Sequence, residues 1–145
     1  MRSRGFTLLE IVVVLVIVAG AMVLVLSMVG RGASSADLKA SARALAAGLR
    51  ATQSTAMATR RDALLTIDVE HRRFTFSRDE APHKLPEGID LKLYTAQAEV
   101  ESEKKGSIRF YPDGSSTGGR ITVSSGERKF LVDVDWLTGR VSIGE

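Results

Sequence analysis

Two places near the start of the chain could act together chemically. Gly5 and Phe6 open an apolar stretch, and Glu10 is the one ionisable residue between Arg4 and Arg31. Cleavage of the Gly5–Phe6 bond would free an amine on Phe6 and leave Glu10 as the fifth residue of the shortened chain. A cation and a buried anion would then stand at the same end of one segment. Without a partner, a charge at that depth in a bilayer costs roughly 2.5–3.5 kcal/mol on insertion scales, so it is rare unless it has a role. Gly5 suits a cut, since a residue without a side chain leaves the backbone fully accessible.

Other residues offer less chemistry. The run Pro112-Asp113-Gly114-Ser115-Ser116-Thr117-Gly118-Gly119 has the glycines and hydroxyls of an anion cradle. It lacks the Lys-Ser/Thr ending and following helix of a nucleotide-binding loop. It reads instead as a turn in which Pro112 presets φ, Asp113 bonds nearby backbone and Gly114 takes positive φ. Asp133 and Asp135 share a strand face without further ligands, the pattern of a solvated face rather than a metal site. His71 and His83 fall in a turn and a loop with no nucleophile or partner acid. Trp136 reads as core or edge packing. The chain has no cysteine, hence no disulfide or thiolate chemistry. The expectation is a protein that is not an enzyme and holds no cofactor or metal.

The elements that must carry these residues follow from periodicity. Phe6 to Val29 is an apolar run of 24 residues, about 36 Å as a helix against a ~30 Å hydrocarbon core. Three readings fit such a start. A secretory signal would have Arg2 and Arg4 as its basic region and Ala19-Gly20-Ala21 as its cleavage site. A plain signal anchor would keep the helix. Neither has a use for Glu10. The third reading is cleavage at Gly5 with the helix retained. Arg2 and Arg4 would hold the amino terminus in the cytoplasm and send the rest outward.

Apolar residues continue at helical spacing through Leu38, Ala42, Leu45, Ala46 and Leu49, and no proline precedes Pro82. One long helix is predicted from about Phe6 to Arg60, loosened at Gly30–Gly32, with Ser35-Ala36-Asp37-Leu38 able to cap a restart. From residue 63 the pattern turns to strands. A hairpin pairs 63–69 with 73–77, a half-buried strand covers 89–93, and an exposed loop runs over 95–106. Further strands cover 107–111, 120–124, 129–135 and 140–143. The net charge of +3 falls to +1 on side chains once Arg2 and Arg4 are removed, which argues against a large nucleic-acid footprint.

The segment Gly5-Phe6-Thr7-Leu8-Leu9-Glu10 with its apolar run resembles the class III leader of type IV pilins and type II secretion pseudopilins. Residues 110–123 resemble the core of the GspH domain, and Trp136-Leu137-Thr138-Gly139-Arg140-Val141 resembles that domain's closing turn. The resemblance implies an α+β fold in which a long amino-terminal helix, its first half transmembrane, packs on antiparallel sheets. It implies a leader over 1–5, an assembly helix over 6–30 and a periplasmic domain over 31–145. A prepilin peptidase/N-methyltransferase would cut at Gly5 and methylate Phe6, and Glu10 would align subunits. The expected partners are other major and minor pseudopilins, the inner membrane and secreted exoproteins, in a pseudopilus near whose tip this subunit would sit. The rival within the resemblance is a minor type IV pilin of the FimT or FimU kind. A DNA-capturing member would use a basic carboxyl-terminal patch, whereas the tail here, Gly139 to Glu145, holds a single arginine and a terminal acid.

Overall fold

The single helix expected over 6–60 is divided. The structure, a computed structural model of the chain, describes residues 7–28, 33–77, 81–96, 100–102 and 104–145. Helix α1 covers Leu8–Met28 and helix α2 covers Ser35–Thr59. Ser34 between them has extended backbone, φ −63° and ψ 157°. Its hydroxyl accepts from the Asp37 amide at 3.1 Å, and the Asp37 carboxylate accepts from the Ser34 amide at 3.2 Å. This capping box satisfies two amides at the start of α2 and gives that helix its own beginning. The restart was foreseen one residue late, at Ser35. The glycines proposed as the soft point, Gly30 and Gly32, lie outside the described residues.

The chain forms two compact units, Met1–Arg31 and Gly32–Glu145. In the first, Thr7 opens α1 by accepting the Glu10 amide on both its carbonyl (3.0 Å) and its hydroxyl (3.3 Å). Side chains of α1 are described as far as Val23, about 24 Å of helix. Among the described residues no helix is long and apolar enough to cross a membrane.

The second unit sets α2 against two antiparallel sheets. One contains β1 (Ala63–Asp68), β2 (Arg73–Phe76), β3 (His83–Lys84), β5 (Val100–Ser102) and β6 (Lys105–Phe110), in the order β3-β2-β1-β6-β5. The other contains β4 (Asp90–Thr95), β7 (Gly119–Ser125), β8 (Arg128–Val134) and β9 (Val141–Gly144), in that order. Strand alternation supplies the core: Leu65 and Ile67 on β1, Ile121 and Val123 on β7, Val132 and Val134 on β8. The face of α2 carrying Leu38, Leu45 and Leu49 buries itself against them. Gly48 lets the first sheet approach this face, since a side-chain carbon there would lie 2.6 Å from the Phe76 ring.

Two loop expectations change. The stretch read as an exposed loop over 95–106 contributes β5, which joins β6 through an irregular register, Val100 opposite Gly106 and Ser102 opposite Lys105. Its polar composition hid a strand that needs only one partner. The loop holding Pro82 and Pro86 contributes β3, whose His83 ring stacks on Phe74 at 5.2 Å between centroids.

Asp68 closes the β1–β2 hairpin. Burial opposes its ionisation, but the His71 amide, the His71 ring and Arg73 all bond its carboxylate and together hold its pKa at about 2. The folded value lies below the ordinary one, so the stabilisation is complete above pH ~4 and is lost as pH falls toward 2. Between pH 6 and pH 3 the Asp68 contribution should fall by about 1 kcal/mol. Urea unfolding at the two pH values checks this, and Asp68→Asn should remove that part of the acid sensitivity.

Candidate assembly surface

Gly5 and Phe6, the proposed cleavage and methylation positions, lie outside the described residues. Glu10 stands in the first turn of α1, exposed, and among the described residues its carboxylate has no ion-pair partner. Every residue from Thr7 to Val23 is exposed. The exposed side chains are large and apolar on all sides, from Leu8 (82% exposed) through Val12 and Val16 to Val23 (69%). A helix apolar all round must be covered by lipid or by other helices. Nothing described within this unit covers it.

Helix α2 offers a second surface that the sequence reading missed. Ala36, Ala40, Ala44, Ala47, Ala51, Ser54 and Ala58 are all exposed. At 100° per residue they fall within an arc of about 80°, opposite the face of Leu38, Leu45 and Leu49. A water-facing helix surface ordinarily carries charged residues. Here small side chains form one ridge, with Lys39, Arg43 and Arg50 beside it. The signal was present in the sequence: alanine at spacings of three and four, diametrically opposed to the leucines. Alanine is also the strongest helix former, so its abundance reads first as helix propensity.

The two carboxyl-terminal motifs fasten the domain. Gln53 of α2 donates from Nε2 to the Gly114 carbonyl at 2.8 Å and to the Thr138 carbonyl at 3.1 Å. One side chain thereby ties the helix to both the 112–119 loop and the closing turn. Arg50 donates to the Val141 carbonyl at 3.0 Å. The Ser116 amide donates to the Trp136 carbonyl and its hydroxyl to the Asp135 carbonyl, sewing the loop to the turn. Gly139, at φ +63°, has no room for a side chain against Gly114 O and Gln53.

Local hydrogen bonds account for the acids in these motifs. The Ser115 hydroxyl and amide donate to Asp113 and hold its carboxyl below the usual range. The Thr138 amide and hydroxyl do the same for Asp135. The 112–119 segment is thus a hydrogen-bonded turn, as its sequence suggested. Asp133 forms an ion pair with Arg120 at 2.5 Å, and among the described residues no three histidines or acids gather as a metal site. Trp136, expected in the core or at an edge, is 65% exposed.

Comparison with known proteins fits this geometry. The family described as Type II transport protein GspH matches residues 41–138, and the Prokaryotic N-terminal methylation motif matches residues 1–29. Type II secretion system protein H of Xanthomonas campestris pv. campestris is 34% identical over 147 residues, covering 99% of this chain and 84% of that protein. Among solved structures, the minor pseudopilin EpsH of the Vibrio cholerae type 2 secretion system superposes with a TM-score of 0.60 at 17% identity, over 74% of this chain and 96% of that one. The type IV minor pilin FimU of Pseudomonas aeruginosa superposes with a TM-score of 0.58 at 12% identity, over 74% and 88%. At those identities the two structures speak to the fold, which is the expected α+β arrangement of helix and antiparallel sheets.

The fastening role of Gly139 has a measurable consequence. Gly139→Ala should destabilise the protein by about 2 kcal/mol or more, because positive φ and a backbone clash combine. Gly126→Ala is the control: φ is +59° but nothing lies within 4 Å, so about 1 kcal/mol is expected. Thermal or urea unfolding of the two variants should keep this order.

Proposed function

The chain belongs to the Type II transport protein GspH family, and on that premise we propose that it is a minor pseudopilin. It is a structural subunit of a type II secretion pseudopilus, whose assembly helps drive exoproteins across the outer membrane. The observation carrying this reading is α1: apolar and exposed on all sides, with a lone acid in its first turn. The 34% identity to a secretion protein supports the secretion system over the type IV pilus alternative.

The amino-terminal motif supports cleavage between Gly5 and Phe6 by a prepilin peptidase and methylation of the Phe6 amine. Before assembly the helix over 6–30 anchors the subunit in the inner membrane, with residues 31–145 in the periplasm. On assembly it leaves lipid for a bundle of like helices. There the Glu10 carboxylate pairs with the Phe6 ammonium of a neighbouring subunit. Such a pair fixes relative position more reliably than it adds net stability. The alanine ridge of α2 lets a neighbouring helix come close, as small residues do at packed helix interfaces. The other pseudopilins are the partners of both surfaces, and placement toward the filament tip follows from the family likeness.

Two variants test this. Glu10→Val should be cleaved and methylated like the parent yet be recovered poorly with the other pseudopilins, with secretion reduced. Normal incorporation of Glu10→Val would remove the alignment role. Ala47→Arg should leave stability within about 0.5 kcal/mol, as expected of an exposed position, while lowering co-purification with neighbouring subunits.

A further inference from the structure

The face of the β4-β7-β8-β9 sheet opposite α2 carries an unassigned groove. The register places Tyr94, Arg120, Asp133 and Ser142 in one cross-strand row, one residue from each strand. Ile121 and Val132, next in sequence to Arg120 and Asp133, point inward and are fully buried, so this row faces out. Tyr94 bounds the groove at one side, 80% exposed, and Trp136 at another, 65% exposed. The groove is shallow and open to solvent, with a volume of about 840 Å³. Gly118 makes the wall under Trp136, where a side-chain carbon would come within 2.9 Å of Trp136 Cβ.

The chemistry of the groove selects among occupants. Its charges balance: Arg120 pairs with Asp133 at 2.5 Å, and Arg140 stands near Asp135, whose carboxyl is occupied by the closing turn. A polyanion or an acidic peptide finds no net positive charge here. A purely apolar partner would strip water from the Arg120–Asp133 pair without replacing its hydrogen bonds, which is unfavourable. A ligand with flat apolar faces and many hydroxyls meets both conditions. Its C–H faces stack on the exposed rings, and its hydroxyls bond the guanidinium, the carboxylate and the Ser142 hydroxyl.

We propose that this groove binds a neutral glycan strand, with Tyr94 and Trp136 as stacking platforms and the Arg120–Asp133 pair as the hydroxyl-binding element. The site is separate from the helices that carry assembly, so its failure leaves the subunit reading untouched.

Trp136 is the sole tryptophan of the chain, and its emission reports the groove directly. The full-length protein, held in a detergent without a sugar headgroup, is titrated with maltohexaose and with a hexamer of β-1,4-linked N-acetylglucosamine. A saturable blue shift at millimolar concentration or below is expected with at least one of them. Tyr94→Ala and Arg120→Ala should weaken it at least tenfold with unchanged circular dichroism and melting, and Tyr94→Phe should restore it. No saturable change with either saccharide overturns the proposal. So does a response unaffected by Tyr94→Ala, saturation by a proline-rich peptide alone, or a shift that follows protein concentration without ligand.

Discussion

An acid inside an apolar helix, with nothing among the described residues of its own unit to cover it, is the constraint on which this protein turns. Every residue from Thr7 to Val23 is exposed, and the one charge among them is Glu10. The hydrophobic effect makes such a surface unstable in water, at about 25 cal/mol for each Å² of apolar area left uncovered. Lipid or neighbouring helices can cover the aliphatic side chains, but neither serves the carboxylate. In the proposed assembly, an amine freed on Phe6 would. On the proposed reading the leader cut would act as a chemical licence: only after it would the helix carry both halves of an intersubunit ion pair.

The second unit, Gly32–Glu145, is built to display a helix. The leucine face of α2 lies on both sheets, and Gly48 lets Phe76 approach it closely. Gln53 and Arg50 then bolt α2 to the carboxyl-terminal turns. This leaves the alanine ridge facing outward. The glycine- and serine-rich segment that invites a phosphate-binding reading is one of the fasteners. Its hydroxyls and amides are consumed internally, by Asp113, Asp135 O and Trp136 O.

Much of this was legible in the sequence, and the misses have physical causes. Alternation announced β1, β2, β4, β7 and β8, because each has one buried face. The leucine periodicity announced α2. The break before α2 was underweighted, since a reciprocal Ser34–Asp37 cap is stronger than the absence of proline suggested. Strand β5 escaped because a short, polar, bulged edge strand has no apolar period. The alanine ridge escaped because alanine signals helix before it signals contact. The outward row of Tyr94, Arg120 and Asp133 depends on cross-strand register, which one strand's letters do not contain. Glu10 needed no structure, because a lone carboxylate among aliphatic residues stands out in any arrangement.

The most direct test of the account is the intact mass of the protein extracted from the membrane of the cells that make it. The account predicts a chain beginning at Phe6 and heavier by one methyl group. A chain still carrying Met1, or one beginning at Met22 after loss of the apolar segment, would contradict it, because Glu10 would then have no amine to meet or would itself be gone.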